Sequence, residues 1–146
     1  MSNIVLARID DRLIHGQVMT AWVQYTGGNE IVIADDKVAN DPFLSAVITG
    51  AVPKHLKAEA MTLEKAADYL KKEKDNEDKK FIVLAKGPEA YESLIEKGVD
   101  ITEINLGGMG SKQERSKLYK KIMAQNVHVY IQVVPNMEKV ELEKAL

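Results

Sequence analysis

The chain has 146 residues, the size of one domain with a single hydrophobic core. Its net charge is −2, so electrostatics gives no reason to expect nucleic acid or an anionic membrane surface as a partner. The absence of cysteine excludes disulfides, thiolate catalysis and cysteine-based metal sites. The amino terminus has no cationic leader, and no apolar run reaches the ~18 residues that span a bilayer, so we expect a cytoplasmic protein.

Short β-branched runs alternate with helical patterns along the chain. The sequence predicts strands at residues 4–9, 30–35, 57–61, 81–85, 101–106 and 127–134. It predicts helices at residues 14–25, from 41 to before Pro53, from Thr62 onward, at 89–97, at about 112–125, and a short one after Met137. This alternation predicts one α/β domain, with a mostly parallel β-sheet and helices on both faces.

Polar loops follow four of the predicted strands, at residues 10–17, 35–36, 86–87 and 105–111. In a parallel sheet ligands bind at the carboxyl ends of the strands, so we expect these loops to converge at one edge. That edge is the predicted functional site.

His15 stands in the first of these loops, within the run Arg8-Ile9-Asp10-Asp11-Arg12-Leu13-Ile14-His15-Gly16-Gln17. A neutral imidazole is a good nucleophile near pH 7, and a phosphorylated one needs guanidinium groups and backbone amides to hold the dianion. The alternative is a packed histidine at the start of an amphipathic helix, since His15 shares a stripe with Val18, Met19 and Trp22.

The neighbours of His15 suggest a phosphoryl-transfer site. Arg12, one helical turn away, is the expected phosphate clamp, while Arg8 holds the other side of the phosphate or pairs with an aspartate. Asp10 orients Arg12 or accepts a proton from the imidazole. The expected catalytic residues are therefore His15, Arg12 and Asp10, and the expected phosphate-binding residues are Arg8, Gly16, Gln17, Gly107 and Gly108.

The glycines at 107, 108 and 110 have the composition of an anion-binding loop, although a tight strand-to-helix turn explains them equally well. They lack the Lys-Ser/Thr ending of a nucleotide-binding P-loop. The paired acids Asp10-Asp11 and Asp35-Asp36 resemble those of a receiver domain, but Met61-Thr62 stands where a receiver has its phosphoacceptor aspartate. No histidine spacing supports a metal site.

The segment RIDDRLIHGQV resembles the phosphorylation motif of enzyme IIB components of mannose/fructose/sorbose-type sugar phosphotransferase systems (PTS). Further similarity follows in the order of that family, in IVIADDKVA at 31–39, EKGV at 96–99, NLGGM at 105–109 and IQVVP at 131–135. The resemblance covers nearly the whole chain, so residues 1–146 are expected to form one IIB domain.

This resemblance implies that His15 receives a phosphoryl group on Nδ1 from the histidine of a IIA partner. His15 then passes the group to a sugar delivered by the membrane subunits IIC and IID, beside which the protein works in the cytoplasm. No metal or other cofactor is implied. Family members usually carry a longer segment between the GGM loop and the last strand. We expect the shorter connection here, residues 110–126, to alter the surface that faces IIA or the membrane subunits, and so the choice of partner.

Two other functions remain open at this point. A regulatory module of the same fold would be phosphorylated on His15 without a transport partner, and a small-ligand binder would not need His15. The sequence does not identify the sugar, and it leaves a homodimer open.

Overall fold

Strands and helices alternate through most of the chain. The structure, a computed structural model, describes residues 3–14, 16–107 and 112–142, with the backbone alone for residues 112–116. In these residues the strands are β1 (Ile4–Ile9), β2 (Glu30–Ala34), β3 (Lys57–Met61), β4 (Phe81–Ala85), β5 (Glu103–Leu106), β6 (His128–Ile131) and β7 (Val140–Glu141). The helices are α1 (Gly16–Thr26), α2 (Asp36–Ala39), α3 (Pro42–Gly50), α4 (Leu63–Lys72), α5 (Pro88–Glu96) and α6 (Lys112–Met123).

The described strands form a seven-stranded sheet in the order β3-β2-β4-β1-β5-β6-β7. Neighbouring strands are parallel except for the antiparallel pair β6–β7. The prediction of a single α/β domain with a mostly parallel sheet is confirmed. Because β1 lies between β4 and β5, the loop after β1 emerges at the middle of the carboxyl edge.

Side chains alternate between two apolar clusters on the two faces of the sheet. In β4, Phe81 and Val83 belong to the cluster under α4, α5 and α6, whereas Ile82 and Leu84 belong to the cluster under α1, α2 and α3. Strands buried on both faces read as continuous apolar runs, and β4 is such a run. No helix in the described part of the chain is long and apolar enough to cross a membrane.

Short polar side chains fix where three of the helices begin. The carboxylates of Asp35 and Asp41 accept the amides of Val38 and Leu44, which caps α2 and α3, and the Thr62 hydroxyl caps α4. Each cap satisfies an amide that the helix itself leaves without a partner.

The structure corrects the predicted elements at three places. The four-residue helix α2 is too short to show a helical period and was not predicted. The strand predicted at 127–134 corresponds to β6 and ends earlier, at Ile131. The chain turns there because the Gln132 side chain binds the carbonyls of Pro135 and Met137. The tail predicted to be helical from Met137 instead contains β7, which pairs with β6, and within its described residues only Leu142 is helical.

Candidate functional site

Asp10 follows β1 at the carboxyl edge and is buried between two arginines. Its Oδ1 accepts the Arg12 amide at 3.0 Å and Arg12 Nε at 3.1 Å. Its Oδ2 accepts Arg12 Nη2 at 3.1 Å and Arg8 Nη2 at 3.3 Å. Of the two roles predicted for Asp10, these contacts provide the orientation of Arg12, while the role of proton acceptor stays a prediction.

The charges around Asp10 stabilise its ionised form. Burial by itself would raise the pKa of Asp10, but the hydrogen bonds from the Arg12 side chain and amide, with the attraction of both arginines, bring the pKa below its usual value. The same hydrogen bond and the charge of Asp10 raise the pKa of Arg12. The Asp10 cluster therefore holds two guanidinium groups and one carboxylate, with a net charge of +1, and the charge of the neighbouring Asp11 also acts on Arg12.

Arg12 has the geometry of an anion clamp. Its side chain is 47% exposed, although Nε and Nη2 both bind Asp10. Two bonds to one carboxylate fix the plane of a guanidinium group, and among the described residues Nη1 has no hydrogen-bond partner. Arg12 is thus held in a fixed orientation by Asp10 and still has Nη1 available as a hydrogen-bond donor.

Arg8, the second predicted phosphate clamp, is 1% exposed. Its Nη1 donates to Asn105 Oδ1 at 2.5 Å and to the Gln132 carbonyl at 3.1 Å, and its guanidinium lies 5.5 Å from the centre of the Trp22 ring. Burial lowers its pKa, against the attraction of Asp10. The salt bridge considered as the alternative for Arg8 is present, to Asp10, and contact between Arg8 and phosphate stays a prediction.

Gly107 makes room for the Arg8 guanidinium. A Cβ at position 107 would lie 2.0 Å from Arg8 Nη2 and 2.2 Å from Cζ. Such distances are far inside van der Waals contact, and the hydrogen bonds of the guanidinium hold it in place. The absence of a side chain at 107 is therefore a condition for the position of Arg8, whereas binding of phosphate by Gly107 stays a prediction.

The backbone between Asp10 and α1 is tightly turned. The Leu13 amide donates to the Asp10 carbonyl at 2.9 Å, and the Ile14 amide donates to the Arg12 carbonyl at 2.8 Å. Leu13, at the centre of this second turn, has φ 61°, which is an uncommon value for a residue with a side chain. The Leu13 side chain is buried in the cluster under α1, and this burial anchors the turn.

The remaining predicted residues lie on both sides of this turn. Gly16 and Gln17 are exposed in the first turn of α1, where helical amides have no partner within the helix. Met19 and Trp22 are buried, as the apolar stripe of α1 predicts. His15 and Gly108 lie outside the described residues.

The structure brings together three of the four polar loops. The Asp10 amide donates to the carbonyl of Ala85 at the end of β4, and the Gly107 amide donates to the carbonyl of Ile9. The loop after β2 does not join these three loops, because β4 lies between β2 and β1. Its Asp36 carboxylate accepts the Leu63 amide at 2.7 Å, so this acid orders the start of α4.

Sequence reasoning missed the residues that hold Arg8. Asn105 and Gln132 are buried polar residues inside otherwise apolar strand segments, and this contrast was the signal available in the sequence. The Trp22 indole donates to the Val133 carbonyl at 2.9 Å, which ties α1 to the segment after β6. Only the strand order reveals that the Asn105 side chain and the Gln132 carbonyl meet Arg8.

Comparison with known proteins identifies the family of this chain. Residues 4–144 match the family model of the PTS system sorbose subfamily IIB component. The fructose-specific EIIB component of Bacillus subtilis is 36% identical over 122 residues, which are 84% of this chain and 74% of that protein. The N-acetylgalactosamine-specific enzyme IIB component 2 of Escherichia coli is 32% identical, with all of both chains covered.

Solved structures show the same fold. The IIBSor domain of the sorbose permease from Klebsiella pneumoniae superposes with a TM-score of 0.89 at 28% identity, covering 99% of this chain and 95% of that domain. The N-acetylgalactosamine-specific IIB component 1 from Escherichia coli gives 0.86 at 29% identity, with 94% and 98% covered. Fold, family model and sequence identity agree, and the chain belongs to the sorbose subfamily of PTS IIB components.

Proposed function

We propose that this chain is the phosphocarrier of a sugar-transporting PTS. It accepts a phosphoryl group from the phosphohistidine of a IIA protein onto His15. It then transfers that group to a sugar delivered by the IIC and IID membrane subunits, beside which it works at the cytoplasmic surface. Family membership supports the phosphotransferase role. The assignment of His15 is inferred from the sequence motif and its resemblance to the family, and that of Arg12 and Asp10 also from their contacts in this chain.

The observation that carries the proposal is the orientation of Arg12. Arg12 stands three positions before His15 in the chain. Two of its guanidinium nitrogens are bound by Asp10, and about half of the Arg12 side chain remains exposed. Next to it, α1 begins at Gly16, and the first amides of a helix bind anions. Since His15 stands between Arg12 and the start of α1 in the sequence, we expect these donors to neutralise the charge of a phosphoryl group on His15.

Each transfer exchanges one bond to phosphorus for another. In the first step a neutral imidazole nitrogen of His15 attacks the phosphorus in line with the P–N bond of the donor, which breaks and returns the electron pair to the donor imidazole. The other ring nitrogen of His15 loses its proton and the donor imidazole takes one up, so both rings end neutral. In the second step a sugar hydroxyl attacks, a P–O bond forms, and the P–N bond breaks with its electron pair returning to His15. The proton that the hydroxyl loses is taken up by the imidazole of His15, which becomes neutral again. Arg12 stabilises the charge on the equatorial oxygens in both steps.

Phosphorylation of the purified chain tests this proposal. The chain would be incubated with phosphoenolpyruvate, the general PTS proteins and a mannose-type IIA, and its phosphate tested for stability in acid and base. We expect an acid-labile, base-stable phosphate that disappears in His15→Ala.

The matched control is His55→Ala, which removes an exposed histidine between α3 and β3 and should be labelled like the unchanged chain. Persistent labelling of His15→Ala would overturn the assignment of His15. Labelling of His15 without transfer to any sugar in membranes containing IIC and IID would instead favour the regulatory module.

A further inference from the structure

We propose that Asn105 is a positioning residue for phosphoryl transfer, acting on Arg12 through Arg8 and Asp10. The assignment rests on the proposed function and deepens it, since it names a residue outside the His15 loop on which the orientation of the clamp depends. Asn105 lies in β5, opposite Arg8 in the parallel pairing of β1 and β5, and is 1% exposed.

Asn105 holds Arg8 by a closed set of hydrogen bonds. Its Oδ1 accepts Arg8 Nη1, and its Nδ2 donates to the Gln132 carbonyl at 3.0 Å, the same carbonyl that accepts Arg8 Nη1. A carboxamide suits this position because it offers one acceptor to the guanidinium group and one donor to the carbonyl. An aliphatic side chain would remove both of these bonds and leave Arg8 Nη1 and the Gln132 carbonyl with only the bond that joins them.

The position of Arg8 matters for Asp10 because both arginines bind Asp10 Oδ2. Arg8 Nη2 donates to it at 3.3 Å and Arg12 Nη2 at 3.1 Å. Asn105 and the Gln132 carbonyl draw Nη1 of Arg8 to the opposite side, so Arg8 shares this oxygen without displacing Arg12. Without Asn105 the Arg8 guanidinium is released toward the carboxylate, where it competes with Arg12.

A double-mutant cycle tests this chain of contacts. The measurement is the rate constant of single-turnover transfer from phosphorylated IIA, at saturating IIA, for Asn105→Ala, Arg12→Ala and the double variant. We expect Asn105→Ala to slow transfer about tenfold, as expected for loss of one charge-assisted hydrogen bond, and to have no further effect when Arg12 is already alanine.

Two features of the measurement separate positioning from a general loss of structure. A partly unfolded variant lowers the fraction of chains labelled, whereas a misplaced clamp lowers the rate constant and leaves that fraction unchanged. Asn3→Ala is the matched control, because the Asn3 amide binds the Glu73 and Asn76 carbonyls far from Asp10, and its rate constant should stay unchanged. Asn105→Leu, which keeps the packed volume, replaces Asn105→Ala if the latter does not fold.

The outcomes distinguish this inference from the proposed function. Normal labelling of the unchanged chain, with an Asn105 effect that is absent or that simply adds to that of Arg12→Ala, overturns the role of Asn105 alone. Failure to label the unchanged chain overturns the proposed function and the role of Asn105 with it. Loss of the Asn105 effect in the Arg12→Ala background supports the inference.

Discussion

Two buried carboxylates lie at opposite ends of the sheet, and each is held between two cations. Asp10 follows β1 at the carboxyl edge, between Arg8 and Arg12. Glu30 begins β2 at the amino edge, with Lys79 at 2.6 Å and Lys57 at 3.9 Å. Both acids have a lowered pKa, because hydrogen bonds and neighbouring charges outweigh the effect of burial.

The two clusters differ in what the cations can do. Lysine ammonium groups are flexible point charges, and the hydroxyl of Tyr69 completes the shell of Glu30. In contrast, the forked guanidinium groups at Asp10 are fixed in orientation, one buried and one exposed. The same need to neutralise a buried acid is met at both ends, but of the two clusters only the arginine cluster has an exposed cation that is fixed in orientation.

The largest expected effect is on stability. Asp10→Asn should lower the free energy of unfolding by about 3–5 kcal/mol, because the buried Arg8 loses its counter-charge. The matched change Glu30→Gln should lower it by about 1–2 kcal/mol, since the lysine side chains can turn to water. Urea unfolding at pH 7 measures both values. An equal or larger loss for Glu30→Gln would show that rigidity of the cation does not matter.

A smaller effect, on catalysis alone, is expected at the exposed cations. Arg12→Ala should slow transfer from phosphorylated IIA by one to two powers of ten, the equivalent of about 1.5–3 kcal/mol of transition-state stabilisation. The transfer rate of Arg12→Lys should lie between those of Arg12→Ala and the unchanged chain, because lysine keeps the positive charge and lacks the forked guanidinium group. Lys57→Ala, at the other carboxylate, is the control and should transfer at the normal rate. An unchanged rate in Arg12→Ala removes Arg12 from the site.

The smallest expected effect is on the stability of the fold at low pH. A carboxylate whose pKa is lowered by folding stabilises the fold fully above its unfolded pKa, about 4 for Asp and Glu, and this contribution is lost as pH falls through the folded value. We therefore expect the urea midpoint to decrease below about pH 4. The decrease should be shallower in Asp10→Asn and in Glu30→Gln. A midpoint that acid leaves unchanged would contradict the direction of both shifts.

Local sequence patterns were sufficient for the fold and for one part of the site. The continuous apolar run of β4 predicts a central strand, and orientation of Arg12 was one of the two roles predicted for Asp10. Asn105 stands out in the sequence as a polar residue near the end of an apolar strand and as the first residue of the NLGGM segment, but neither pattern names its partner. Its contact with Arg8 depends on β5 lying beside β1, and strand order is a property of the whole sheet that local patterns do not carry. For the same reason, Asp36 was grouped with the site although it orders α4.

The turn at Leu13 has a consequence for how the site meets its partners. A buried side chain and a left-handed backbone fix the path of residues 10–14 when the protein folds. Conformational entropy lost at that stage is not lost again when a partner docks. The IIA donor and the membrane subunits in the proposed cycle would therefore meet a preorganised arginine, so that association is not slowed by ordering of the clamp.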